Sequence, residues 1–182
     1  MIFLLGISHN HQWDKNGADC VNFVNYLKIT VPKLCIKIIA EEWSIKLFEE
    51  DVYRNIQSTS IFDLANELRI KHIYVDTDRE TDKKLGIKRD GDTKRESGIR
   101  GCELCMRKED KEKYDELCAP NHRKRERYWL TQINKVIKEE MIFVCGYHHV
   151  PHFSQLLNSN KIANKILPKT FITELPKCYL CA

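Results

Sequence analysis

The sequence predicts an α/β protein: a mostly parallel sheet of about four to five strands, flanked by helices and interrupted by a charged, cysteine-containing insert. Three observations carry this expectation. Short apolar runs of strand length alternate with segments whose apolar residues recur at helical spacing, the pattern of successive β-α units. The runs are continuously apolar, as suits strands covered on both faces of a parallel sheet. Two of them, at opposite ends of the chain, finish alike in Gly-x-x-His: Ile2-Phe-Leu-Leu-Gly6-Ile-Ser-His9 and Met141-Ile-Phe-Val-Cys-Gly-Tyr-His-His149.

Taken in order, the first strand runs into a polar loop, His9-Asn-His-Gln-Trp-Asp14, and a turn at Asn16-Gly17. Ala18–Ile29 reads as a helix on Cys20, Val21, Val24 and Leu27, stopped by Pro32. The second strand is Leu34-Cys-Ile-Lys-Ile-Ile-Ala40, followed by Glu41-Glu42. Trp43, Leu47 and Phe48 suggest a short helix ending near Tyr53. Ser60-x-x-Asp63 resembles a capping box that opens a helix striped with Ile61, Leu64, Ala65 and Leu68. The third strand, Ile70–Val75, ends at Asp76. A helix starting near Asn121 and striped with Trp129, Ile133, Val136 and Ile137 precedes the strand Met141–Cys145. Pro151, a first-turn residue, opens the next helix around Phe153, Leu156 and Leu157. Lys161–Leu167 suits a last short strand.

Residues 77–120 break the pattern. They carry four of the seven glycines (Gly86, Gly91, Gly98, Gly101) and few large apolar residues, so they read as an irregular insert within one domain spanning 1–182. The net charge is +4, and residues 83–127 hold 15 Lys/Arg against 10 Asp/Glu, a surplus of five that leaves the remainder at 4 − 5 = −1. The signs are interleaved, as on a solvated face; nucleic-acid binding is the lesser reading. No apolar run approaches the ~20 residues of a membrane span, and Met1–Gly6 lacks a basic leader. These features point to a cytoplasmic protein without a membrane partner, whose eight cysteines are reduced or bind metal.

Four strand ends deliver His9, Glu41 or Glu42, Asp76 and His149 to one edge of the expected sheet, the edge where open α/β sheets bind ligands. Imidazole with carboxylate suits a divalent metal or acid/base chemistry. His11 and His148 are spare candidates, whereas His72, in mid-strand, reads as structural. A separate zinc site suggests itself in the insert: Cys102-Glu-Leu-Cys105 followed by Cys118-Ala-Pro-Asn-His122 has the spacing of a Cys3His centre, with Cys178 and Cys181 near the C-terminus as alternative ligands. Cys20, Cys35 and Cys145 read as core residues.

The paired Gly-x-x-His ends, the Glu after the second strand and the Arg before the last long helix resemble a superfamily. It contains the erythromycin esterases, the ChaN-like proteins, the TraB proteins and the Tiki proteases. Arg125-Glu-Arg-Tyr-Trp129 followed by Phe143-Val-Cys-Gly-Tyr-His-His-Val150 is most similar to the TraB pattern, and Val75-Asp-Thr-Asp-Arg79 looks like its Asp-Arg segment. The resemblance covers roughly 1–86 and 121–157 and leaves out the cysteine-bearing insert. It implies an α/β core with a polar cleft at the strand ends. Members include metal-dependent proteases, lactone-opening esterases and a haem binder, so substrate does not transfer.

On this reading the chain is a metal-dependent hydrolase acting on a small-molecule or peptide substrate. His9 and His149 are nitrogen ligands, Glu41 or Glu42 a carboxylate ligand or general base, and Asp76 a further ligand or a partner that fixes a histidine tautomer. Arg125 stabilises charge developing on a carbonyl or phosphoryl oxygen; by composition alone it is one surface charge among Arg123, Lys124 and Arg127. The alternative is a non-enzymatic zinc protein that contacts nucleic acid or a protein through the basic insert.

Overall fold

The computed structural model describes residues 1–46, 56–99, 106–169 and 171. Five parallel strands form one sheet, in the order β3-β2-β4-β1-β5. They are β1 (Ile2–Ile7), β2 (Ile38–Glu41), β3 (Lys71–Tyr74), β4 (Met141–Gly146) and β5 (Asn164–Ile166). Seven helices among the described residues flank it: α1 (Asn10–Trp13), α2 (Ala18–Lys33), α3 (Ser60–Glu67), α4 (Arg79–Leu85), α5 (Asp90–Ser97), α6 (Lys108–Asn134) and α7 (Val150–Ser159). The expected α/β class is the observed one. None of these helices is long and apolar enough to cross a membrane.

Side chains alternate across each strand, so the central strands feed two cores. Phe3, Leu5, Ile7, Ile39, Ile142 and Val144 face α2 and α3, meeting Phe23, Leu27, Val31, Ile61 and Leu64. Ile2, Leu4, Ile38, Ala40, Met141, Phe143 and Cys145 face α6 and α7, meeting Trp129, Leu130, Ile133, Phe153 and Leu157. β1, β2 and β4 are buried along their length, which is why they read as continuous apolar runs.

Several elements differ from expectation. α2 continues through Pro32 to Lys33, and Val21 is exposed; the buried stripe is Cys20, Phe23, Leu27 and Val31. Cys35 is not a core residue. It is exposed, with φ +53°, and its N–H and that of Ile36 close α2 on Pro32 O and Val31 O. This double closure by a left-handed residue is the Schellman arrangement. It recurs at Arg69 (φ +54°) after α3 and Lys161 (φ +60°) after α7, each followed by an isoleucine whose N–H makes the longer bond. Because glycine stands at none of the three, glycine placement does not reveal them. α3 is capped by Thr59, whose Oγ1 accepts from Phe62 N, and not by Ser60.

Residues 77–120 are not irregular throughout. They hold α4, α5 and the first half of α6, which starts at Lys108 instead of near Asn121 and passes through Pro120. Charged contacts stand in for the missing apolar stripe. Asp78 caps α4, and Arg89 bonds Asp76, Asp82 and Thr77 O, tying the segment to the end of β3. The expected helix around Leu47, Phe48 and Tyr53 lies outside the described residues, as do Cys102, Cys105, Cys178 and Cys181.

Gly6 lies within β1, not at a turn. A Cβ there would meet Val150 Cγ2 at 2.8 Å and Tyr147 Cα at 2.9 Å, so the glycine lets the β4–α7 turn press against β1. Gly6→Ala is expected to lower stability by about 1–3 kcal/mol through overpacking, measured as a lower urea midpoint. An unchanged midpoint would show that the turn has room to retreat.

Candidate active site at the carboxyl edge of the sheet

β1 and β4 are neighbours in register, Gly6 opposite Cys145 and Ile7 opposite Gly146. The two Gly-x-x-His ends therefore emerge side by side. Past β1 the chain turns into α1, with His11 N–H on Ser8 O and Gln12 N–H on His9 O. Past β4, His149 N–H bonds Gly146 O while Phe153 N–H bonds His149 O, so His149 starts α7.

β2 ends on the other side of β4 from β1, and the alternation rule separates the two glutamates at its end. Glu42 faces the α6 layer: its Oε2 accepts from Gly146 N–H at 2.6 Å, and its Oε1 accepts from Arg125 Nη2 at 2.5 Å. Both cleft imidazoles approach that Oε1, His9 Nε2 at 3.7 Å and His149 Nε2 at 3.6 Å. Glu41 faces the α3 layer, where Gln12 Nε2 (2.9 Å), Thr59 Oγ1 (2.5 Å) and His72 Nε2 (2.7 Å) donate to it. Of the two expected alternatives, Glu42 stands in the cleft and Glu41 behind it. His72, expected to be structural, is packed against Glu41.

The hydrogen bonds assign both tautomers. Glu126 Oε1, a carboxylate oxygen, lies 2.9 Å from His149 Nδ1 and can only accept, so the proton is on Nδ1. Gln12 gives its amide N–H to Glu41, which leaves its Oε1, 2.7 Å from His9 Nδ1, to accept from that ring. In each neutral imidazole the lone pair is then on Nε2, the atom facing Glu42.

Asp76 and Arg125 form the floor. Asp76 accepts from Arg125 Nε (3.1 Å) and Nη2 (2.7 Å), from Arg89 Nη1 (2.7 Å) and from Trp129 Nε1 (2.8 Å). With both oxygens engaged it anchors Arg125 and is not free to bind a metal. Arg125 is no surface charge: it is buried, lies over the Trp129 ring and bridges Asp76 to Glu42. Burial opposes the charge on Asp76, but Arg125 and Arg89 outweigh it and hold the carboxyl well below its usual range. For Glu42, burial is likewise outweighed by His149, Arg125 and His9, and its carboxyl also titrates low.

Gly146 has an ordinary φ, but a Cβ there would sit 3.4 Å from Glu42 Oε2, 3.4 Å from His9 Nε2 and 3.5 Å from His149 Cδ2. The glycine keeps the space between the three groups open.

Of the spare candidates, His11 is buried against Phe23 and Phe171 in the α2 layer, and His148 is exposed beside Tyr147. Sequence reasoning missed Gln12, Arg89, Glu126 and Trp129. Only Gln12, three residues after His9, and Glu126, next to Arg125, carried a local signal.

Among the described residues, one group of three metal-ligand side chains brings its ligand atoms within 4.8 Å of one another: Asp90, Cys118 and His122. The expected partners Cys118 and His122 are thus together, with Asp90 beside them. The His122 ring also meets the His149 ring edge-on, centroids 4.5 Å apart. Comparison with protein-family models, with curated proteins and with solved structures finds no match for this chain.

Proposed function

We propose that the chain is a metal-assisted hydrolase whose reaction site is the space between His9, Glu42 and His149. The observation that carries this reading is the convergence of two Nε2 lone pairs on one buried carboxylate oxygen, at 3.7 Å and 3.6 Å. Each imidazole is fixed by a partner on its other nitrogen, Gln12 for His9 and Glu126 for His149, an arrangement typical of metal-binding histidines.

The donor set fits a divalent ion on the histidine pair with Glu42 alongside. His149 is buried and His9 half-exposed, so an ion there would be held by His149 from the interior and by His9 from the solvent side. Charge favours this. Glu42, Asp76, Asp82 and Glu126 are four buried carboxylates, and they face the three guanidiniums of Arg125, Arg89 and Arg123, a net of 3 − 4 = −1. Bound there, the metal would supply a water of lowered pKa and a Lewis acid for a carbonyl or phosphoryl oxygen.

The chain's own groups do the rest. Glu42 and the imidazoles orient a water in the space that Gly146 leaves open. The Glu42 carboxylate takes the water proton as the oxygen attacks the carbonyl carbon or phosphorus, and returns it to the leaving oxygen or nitrogen as that bond breaks. Arg125 acts through Glu42, holding its carboxylate ionised and aimed. The insert's cations mostly face nearby acids, as in Lys84 with Glu80, Lys88 with Glu96 and Lys108 with Glu112, so they favour a solvated face over a nucleic-acid surface.

The test is a panel of carboxylic esters, lactones, peptides and phosphate esters, assayed with Zn²⁺, Mn²⁺ and Mg²⁺. His9→Ala and His149→Ala are expected to lower the hydrolytic rate at least about a hundredfold with native circular dichroism spectra, His149→Ala at a lower melting temperature because it leaves a cavity beside Trp129 and Glu126 without its partner. Full activity in both variants would sink the reading.

A further inference from the structure

α5, Asp90–Ser97, contains no apolar side chain, yet it packs on α6. A helix this short is marginal on its own, and here no hydrophobic stripe seats it. What does meet α6 is Asp90, at its first turn, whose Oδ1 is 2.9 Å from His122 Nε2. One turn before His122, on the same face of α6, lies the Cys118 thiol, buried to 1% exposure.

We infer that Asp90, Cys118 and His122 form a zinc site that clasps α5 to α6, distinct from the cleft. Sulfur, imidazole and carboxylate are each ordinary zinc ligands, with bond lengths near ~2.0–2.3 Å. Their ligand atoms already lie within 4.8 Å of one another, so closing on an ion takes small side-chain adjustments within the two helices. Binding displaces the Cys118 proton to solvent and leaves a thiolate–zinc bond. The three protein ligands leave a fourth tetrahedral position for water.

The clasp gives the insert what its sequence lacks, since metal binding stabilises a segment too poor in apolar residues to order itself. It also fixes the His122 ring against His149, so the insert is coupled to the cleft through two touching imidazoles. The site does not depend on the cleft being hydrolytic, and its test does not read activity.

Untagged full-length protein is titrated with Co²⁺, and the near-ultraviolet sulfur-to-cobalt charge-transfer band is followed. Wild type is expected to develop the band. Cys118→Ser is expected to lose it, and Asp90→Ala and His122→Ala to weaken Co²⁺ binding at least tenfold. Because a variant can fail to fold, X-ray absorption on wild type carrying one equivalent of zinc provides an independent reading. A first shell with one sulfur and the rest nitrogen or oxygen is expected. No band in wild type, an undiminished band in Cys118→Ser, or a zinc shell with no sulfur or with four sulfurs would each overturn the inference.

Discussion

Arg125→Met is expected to lower the stability of this protein by about 3–5 kcal/mol, because it leaves a buried charge uncompensated. Arg125 is the cation that pairs with Glu42 and one of two that pair with Asp76, and all three groups are buried. Removing it leaves Glu42 with Gly146 N–H and the two imidazoles, and Asp76 with Arg89 and Trp129. Arg125→Lys should recover only part of the loss, since one ammonium cannot reproduce a guanidinium that donates from Nε and Nη2 to the same carboxylate. Urea unfolding measures both variants, with a lower midpoint and an unchanged slope as the expected signature.

The same network fixes the sign of the acid response. The Asp76 and Glu42 carboxyls titrate lower in the folded chain than in the unfolded one. The unfolded state therefore takes up protons first. The stability these groups contribute is fully present above their ordinary range, near ~4, and is lost as pH falls through the lower folded values. Urea midpoints should drop on acidification below about pH 4, and the drop should be shallower in Asp76→Asn than in wild type. Equal slopes would mean that Asp76 is not held ionised by its arginines.

Glu42→Gln is expected to lower the hydrolytic rate by about 10²–10⁴-fold, whereas Glu41→Gln should cost about tenfold at most. The neighbours differ because strand alternation places them on opposite faces. Glu42 meets both Nε2 atoms directly, while Glu41 reaches His9 only through Gln12. Glutamine at 42 keeps an oxygen for Gly146 N–H but loses the charge that orients water or balances a cation. Steady-state kinetics separates the cases, and a larger loss at Glu41 would reverse the assignment of the two residues.

The parts of this fold legible in the sequence are those whose environment is uniform along the chain. β1, β2 and β4 are buried on both faces, so their apolar runs survive without interruption. α7 announces itself by Pro151 and by Phe153 and Leu157 at helical spacing. The start of α6 was not legible, because its first half is seated by Tyr114, Cys118 and charged contacts, and because Pro120 suggests a break that does not occur. The left-handed closures at Cys35, Arg69 and Lys161 were equally hidden, since glycine marks none of them.

The site divides in the same way. His9 and His149 share a motif and a strand-end position, so they could be read directly. Choosing Glu42 over Glu41 required the phase of β2. Arg125 was found by resemblance to a pattern, but its setting was not: it lies in mid-helix, beneath Glu42, instead of at a helix start with its charge facing solvent. Glu126, Gln12 and Arg89 hold the site through contacts made only by the tertiary fold.

The central claim is that the cleft presents two imidazole Nε2 lone pairs to a shared space beside Glu42. Nitrogen-15 NMR of histidine-labelled protein tests it most directly. The account predicts that, in metal-free protein at neutral pH, the neutral rings of His9 and His149 carry their proton on Nδ1. It further predicts that Zn²⁺ shifts the Nε2 resonance of both rings. A proton found on Nε2 of either ring, or Nε2 resonances indifferent to Zn²⁺, would contradict it.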